Sequence, residues 1–168
     1  MVCLPEHFAY QKDGSGEHFH ESIPDGEMFK KYRQLALDNH VWLSMGSFPE
    51  TCPQNPDRFY QTHFIINNEG NIAAQYRKMH RFDVNLKEQG GDDICESEYL
   101  MAGNDITAPC FSPVGYLGLS ISYDIRFPEL YRKLVLKGAQ VLLVPSAFLA
   151  KTGATHWETL LRARAIEN

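Results

Sequence analysis

The sequence predicts an α/β fold in which a mixed sheet is covered by helices. Short apolar runs recur along the chain, and segments with apolar residues at helical spacing stand between them. Turn residues join some of these runs in pairs, as they do in hairpins. The chain has 168 residues, of which 43% are hydrophobic, so it can bury the core of one domain and is too short for two.

The first half of the chain predicts one helix and four strands. Residues 9–26 are polar and glycine-rich and form a loop. The helix covers residues 27–40, where apolar side chains fall on one face. Gly70 allows the positive φ of a hairpin turn between the third and fourth strands. The four strands lie over residues 2–5, 41–48, 59–66 and 72–77.

The second half predicts a hairpin, two helices and one more strand. Residues 79–104 form a long irregular stretch, a type of segment that often carries function. Pro128 fits the first position of a helix that ends at Gly138. Thr155 and Glu158 fit a capping box that opens the last helix. The strands lie over residues 107–112 and 116–121 and over a buried segment, 141–144.

Composition excludes several classes of function. A net charge of −5 and a pI near 5.8 argue against nucleic acid or an anionic membrane surface as the main partner. No apolar run reaches the length of a membrane span, and the first residues do not resemble a signal peptide. The four cysteines form no CxxC pair, which favours reduced thiols and a cytoplasmic compartment, with a mitochondrial one as the alternative. No GxGxxG motif follows a strand, so a dinucleotide cofactor is not expected.

Three polar residues at the ends of predicted strands are candidates for catalysis. Glu6 follows the first strand, where burial would raise its pKa towards acid–base duty; a helix cap or a surface charge is the alternative. Lys78 ends the fourth strand and could stabilise an oxyanion, or it could be a solvated edge lysine. Ser122 ends a strand that turns sharply into a helix, a geometry that presents a nucleophile; a turn hydroxyl bonded to the backbone is the alternative.

The other candidates are weaker. A serine nucleophile normally needs a histidine, for which His80 and His156 are available. A nucleophile elbow of the GxSxG type is absent around Ser122, which disfavours a serine hydrolase. The run HFHE at 18–21 offers metal-binding side chains without a second pair, so a solvated loop is favoured. Arg162 and Arg164 could bind an anion, but ion pairing with glutamates on the same helix is favoured.

Four segments in order resemble the nitrilase (carbon–nitrogen hydrolase) superfamily. They are LPEHFAY at 4–10, YRKMHRFD at 76–83, SYDIRFPEL at 122–130 and VPSAFLAKTGATHWETLLRARAIE at 144–167. The last segment is most similar to the Nit branch, which includes amidases of small ω-amides. The resemblance implies a four-layer αββα sandwich that forms a homodimer or larger homo-oligomer through helix faces. It also implies a small-molecule amide substrate and no metal or organic cofactor.

The resemblance also implies a Glu–Lys–Cys mechanism. Glu6 matches the general base, Lys78 the triad lysine and Glu96 a second glutamate that lies near the lysine. Tyr123 matches the residue after the nucleophile, whose backbone N–H would join Lys78 in binding the oxyanion. The position of the nucleophile itself, which is cysteine in the family, is occupied by Ser122.

The chain departs from the family pattern in three ways. Ser122 replaces the cysteine, either naturally or by an introduced substitution, and a hydroxyl is a far weaker acid than a thiol. Family domains usually begin with a strand and helix before LPE and continue with strands after RARAIE, so residues 1–168 are predicted to be a partial domain. Gln61 stands where the branch usually has asparagine. An amidase is therefore predicted, with an inactive homologue that acts as a binding or interaction protein as the alternative.

Overall fold

The computed structural model describes residues 1–9, 18–85 and 93–168. Within these ranges, twelve helices and strands form the fold, and short 3-10 turns at Glu96–Glu98 and Ser122–Arg126 carry candidate site residues. In chain order the elements are β1 (Val2–Leu4), α1 (Glu27–Asp38), β2 (Leu43–Thr51), β3 (Phe59–Ile66), β4 (Ile72–Arg77), β5 (Asp83–Val84), β6 (Ile94–Cys95), β7 (Cys110–Ser112), β8 (Gly115–Leu119), α2 (Pro128–Leu136), β9 (Val141–Leu143) and α3 (Ala150–Glu167).

Among the described residues there are two larger sheets and one two-stranded pair. The first sheet has the order β1-β2-β3-β4, with β1 parallel to β2 and the other neighbours antiparallel. The second has the order β7-β8-β9, in which β7 and β8 form a hairpin and β9 runs parallel to β8. Strands β5 and β6 form the small pair within the predicted irregular stretch. Gly70 has φ 75° in the predicted turn between β3 and β4.

Alternation along β3 places the first sheet between two apolar layers. Phe64 and Ile66 pack with Phe29 and Ala36 of α1 on one face. Ile65 points to the opposite face and belongs to the core shared with the second sheet and with α2. The layers are therefore α1, first sheet, second sheet and then α2 with α3, which is the predicted αββα order.

Two local predictions were wrong. Helix α3 begins at Ala150, five residues before the predicted capping box, and the Thr155 hydroxyl donates to the carbonyls of Lys151 and Thr152 inside the helix. Strand β9 is half-buried throughout, because within the described residues it lies at the edge of its sheet and has one strand neighbour. None of the helices in the described ranges combines the length and apolar character that crossing a bilayer requires.

Candidate active site

Four strand ends bring the predicted site residues to one place. Glu6 lies two residues after β1, Lys78 directly after β4, Glu96 directly after β6 and Ser122 three residues after β8. All four side chains are buried, and Lys78 is only 2% exposed. The fold thus collects residues that are up to 116 positions apart (122 − 6) in the sequence.

Lys78 lies between two carboxylates. Its Nζ donates to Glu6 Oε1 at 3.1 Å and to Glu96 Oε1 at 2.9 Å. The remaining carboxylate oxygens accept backbone N–H groups: Glu6 Oε2 from Ala147 at 2.8 Å, and Glu96 Oε2 from Phe82 at 2.6 Å. Each glutamate is therefore fixed at both oxygens, which orients the pair around the ammonium group.

The pKa of Glu6 is lowered, so the predicted rise was wrong. Burial does act to raise this pKa, but the charges of Lys78 and His7 and hydrogen bonds from Ser122 and Ala147 outweigh it. For Lys78, burial acts to lower the pKa, yet Glu6 and Glu96 raise it above its ordinary value. The two groups therefore stay ionised as a buried pair at neutral pH.

Ser122 lies at a strained turn. Its φ is 47°, in the left-handed region that a non-glycine residue enters at a cost and that is common at functional sites. Its N–H donates to the Pro145 carbonyl at 2.9 Å, and its side chain interacts with the Glu6 carboxylate and helps to lower the pKa of Glu6. The predicted sharp turn from strand to helix is thus confirmed as β8 followed by a 3-10 turn and α2.

Asp124 links this turn to β4, the strand that ends just before Lys78. It is fully buried, and its Oδ2 accepts the Tyr76 hydroxyl and the Ile121 N–H, both at 2.8 Å. Its Oδ1 accepts the backbone N–H of His80 at 3.1 Å and contacts His80 Nδ1 at 2.7 Å. Asp124 was not among the residues predicted for the site, although it lies within the segment SYDIRFPEL at 122–130.

A cavity of about 160 Å³ opens in front of Ser122. Tyr123 and Arg126 follow Ser122 on the same turn, and the Arg126 guanidinium lies 5.8 Å from the centre of the Tyr123 ring. Phe148 lies on the loop after β9, at the same distance from Arg126. This wall of the cavity was not predicted, since nothing in the sequence places residues 147–152 near Glu6. The cavity is lined by Glu6, His7, Phe82, Ile94, Glu96, Tyr99, Ser122, Tyr123, Arg126, Ala147, Phe148, Leu149 and Thr152.

The weaker candidates have structural partners. His80 binds Asp124, and His156 Nδ1 lies 3.2 Å from an Arg126 nitrogen. Within the described residues, no group of three or more His, Cys, Asp or Glu side chains could hold a metal ion. On α3, the predicted ion pairs Arg162–Glu158 and Arg164–Glu167 are confirmed at 2.7 and 2.8 Å.

The HFHE run is partly buried, whereas a solvated loop was predicted. His18 stacks on Tyr99, and His20 Nδ1 lies 3.0 Å from the Thr51 hydroxyl. Glu21 accepts the N–H groups of Met28 and Phe29 at the start of α1, both at 3.0 Å. The run therefore holds the segment that leads into α1 against β2 and against the ring of Tyr99.

Comparison with known proteins identifies relatives of the whole chain. The family described as Carbon-nitrogen hydrolase matches residues 1–168. Deaminated glutathione amidase of Dictyostelium discoideum is 48% identical over all of this chain and 59% of its own length. Among solved structures, the Caenorhabditis elegans NitFhit protein has a TM-score of 0.78 at 46% identity, covering 85% of this chain and 34% of that one.

A second solved structure, Saccharomyces cerevisiae Nit3, is described as a member of branch 10 of the nitrilase superfamily. It has a TM-score of 0.75 at 30% identity and covers 98% of this chain and 57% of its own. The chain thus spans between about a third and three-fifths of the length of these three relatives.

Proposed function

The chain belongs to the carbon–nitrogen hydrolase family, and from that premise we propose that its site is built to hydrolyse a small ω-amide through an acyl group on residue 122. The observation that carries the proposal is the buried cluster in which Lys78 contacts Glu6 and Glu96, with Glu6 and Ser122 lining the same cavity. A general base, a fixed cation and a presented nucleophile are the groups that acyl transfer requires.

In the first half-reaction, the nucleophile attacks the amide carbonyl while Glu6 takes its proton. The carbonyl oxygen becomes an oxyanion beside the Lys78 ammonium, which has a third N–H beyond the two that bind Glu6 and Glu96, and beside the Tyr123 N–H. Glu6 then gives the proton to the nitrogen as the C–N bond breaks. The amine leaves, and the acyl group remains on residue 122.

In the second half-reaction, Glu6 takes a proton from water, and the hydroxide adds to the acyl carbon. The bond to residue 122 breaks, Glu6 returns the proton to the nucleophile, and the carboxylic acid is released. Glu96 keeps Lys78 in place in both halves. These steps use side chains, a backbone N–H and water, and they need no metal or organic cofactor.

Ser122 slows this chemistry. A free thiol has a pKa of about 8.5, whereas an alkyl hydroxyl is far less acidic. A glutamate whose pKa is lowered is a weak base, so it ionises a hydroxyl much less readily than a thiol. The chain with Ser122 is therefore proposed to bind its amide and to turn it over slowly.

Deaminated glutathione is the proposed substrate, because the Dictyostelium relative, which is 48% identical, is named deaminated glutathione amidase. We also propose a homo-oligomer and a cytoplasmic compartment. The second candidate is a catalytically inactive homologue that functions by binding a ligand or partner. The observation that favours it is the serine at position 122, where the family has cysteine.

One assay separates the two functions. Amine release from deaminated glutathione and ammonia release from α-ketoglutaramate are measured for the chain as it stands and for Ser122→Cys. We expect kcat to rise on the order of 100-fold or more in the cysteine variant, because the thiol suits a carboxylate base. Ser122→Ala is the matched control and should stay inactive. No hydrolysis in either the serine or the cysteine form would favour the binding protein.

A further inference from the structure

Gln61 is a buried polar side chain that the proposed chemistry does not use. It lies on β3 and is 4% exposed, and its Oε1 has no hydrogen-bond partner among the described residues. Buried side-chain acceptors nearly always have a partner, so an exception of this kind needs an explanation. The resemblance to the Nit branch also implies asparagine at this position, and glutamine is longer by one methylene.

The Gln61 side chain lines a second cavity, of about 270 Å³. Aromatic rings form part of its wall: His18 stacks on Tyr99 with 4.4 Å between ring centres, and Phe59 lies 5.9 Å from Tyr99. The Ser47 hydroxyl, which accepts the His7 N–H at 3.1 Å, is also in the lining. An apolar, aromatic wall with a few polar groups is typical of a small-molecule site.

This second cavity adjoins the catalytic one. His7 and Tyr99 line both, and His7 directly follows the proposed base Glu6. The Gln61 carbonyl accepts the Lys78 N–H at 2.9 Å, so the two residues are neighbours across β3 and the end of β4. A molecule whose scissile carbonyl lies at residue 122 could therefore extend past His7 towards Gln61.

We propose that this second cavity is the subsite for the leaving amine, and that the Gln61 amide turns into it on binding so that Oε1 accepts an N–H of that amine beyond the scissile bond. The inference rests on the proposed amidase function. The ligand class is an amide whose amine portion continues into a peptide unit, since a peptide N–H supplies the donor that Oε1 lacks. The aromatic wall suits a thiol-bearing side chain, because sulfur packs well on aromatic rings.

Two substrates distinguish an effect on this subsite from an effect on the catalytic centre. Deaminated glutathione carries a cysteinyl-glycine amine with such an N–H, whereas α-ketoglutaramate releases only ammonia. In the Ser122→Cys background, we expect Gln61→Leu to lower kcat/KM for deaminated glutathione about tenfold, the effect of one lost hydrogen bond, and to leave α-ketoglutaramate unchanged. The control is Gln34→Leu, at an exposed position on α1, which should leave kcat/KM unchanged for both substrates.

An analogue with an ester oxygen in place of the cysteinyl-glycine N–H sharpens the test. Gln61→Leu should make no difference to this analogue, because the donor is already missing. If Gln61→Leu lowers kcat/KM equally for deaminated glutathione and α-ketoglutaramate, or lowers it for neither, the proposed subsite is wrong.

The proposed function can fail separately. If Ser122→Cys hydrolyses none of these amides, the subsite can still be tested by calorimetric titration of the Ser122 chain with deaminated glutathione. A Kd raised about tenfold by Gln61→Leu would support it, and an unchanged Kd or no binding would refute it.

Discussion

At the scale of single residues, Lys78 keeps its charge in a buried site only because two carboxylates surround it. Removing one partner of a buried ion pair leaves an uncompensated charge, which costs far more than the pair contributes. The same argument holds for Glu6, whose pKa stays low against the effect of burial. Folding and the proposed acid–base chemistry thus depend on the same three side chains.

Asp124 should be as important to stability as the candidate catalytic residues. Asp124→Asn keeps the shape of the side chain but replaces one acceptor oxygen with an NH₂ donor. That NH₂ group would face a donor, because Tyr76, Ile121 and His80 all donate to the carboxylate. We expect the free energy of unfolding in urea to fall by about 3 kcal/mol or more. Asp105→Asn, at an exposed position, is the control and should change it by less than about 0.5 kcal/mol. An equally small change for Asp124→Asn would disprove the proposed role of the network.

At the scale of elements, the close approach of β1 to β2 positions Glu6. Gly46 lies at the irregular part of β2, and a Cβ there would clash with the Pro5 carbonyl oxygen. We expect Gly46→Ala to displace the end of β1, lowering stability by about 1–3 kcal/mol and weakening amide binding in calorimetry. Gly153→Ala is the matched control, because its Cβ would make only ordinary contact in α3. Similar behaviour of the two variants would show that the close approach is unimportant.

His63 links the two sheets and should make stability depend on pH. Its Nε2 lies 2.7 Å from the Ser44 hydroxyl and its Nδ1 3.1 Å from the Ser120 carbonyl. Burial lowers its pKa from 6.5 to about 4. The unfolded chain therefore takes up the proton first as the pH falls, and the folded state loses stability between about pH 6.5 and 4.

The size of this effect follows from the shift. We expect the loss to be about 3 kcal/mol across that range, levelling off below it. Urea unfolding from pH 7 to 4 should show this slope in the chain and in the His156→Gln control, and the slope should be smaller in His63→Gln. Equal slopes in all three proteins would contradict the assignment.

Much of this element-level structure could be predicted from the sequence, and the failures have physical causes. The strands around Gly70 and the helix from Pro128 were predicted correctly, because turn chemistry and apolar spacing are local signals. The start of α3 was wrong, because Thr155 has capping chemistry but lies inside a helix set by packing. The second cavity could not be predicted at all, since Gln61 and Tyr99 meet only through the tertiary fold.

At the scale of the whole molecule, the two outer helical layers differ in what they expose. Ile166 on α3 is 83% exposed and Leu136 at the end of α2 is 79% exposed. The outermost layer on the other side, α1, exposes Leu35 to 53%. Single exposed apolar residues are common, so exposure alone does not define an interface. The resemblance to the nitrilase superfamily implies a homo-oligomer that forms through helix faces, and α3 is the helix that we predict to take part.

These observations predict a homo-oligomer in which α3 contributes to the contact. Sedimentation velocity over a range of concentrations should show a dimer or larger species for the chain. Ile166→Asp should shift it towards the monomer, because a charge buried in an apolar contact without a partner is costly. Leu35→Asp makes the same chemical change on the opposite layer and should leave the oligomer intact. A monomer at every concentration would refute the oligomer, and equal dissociation by both variants would place the contact elsewhere than α3.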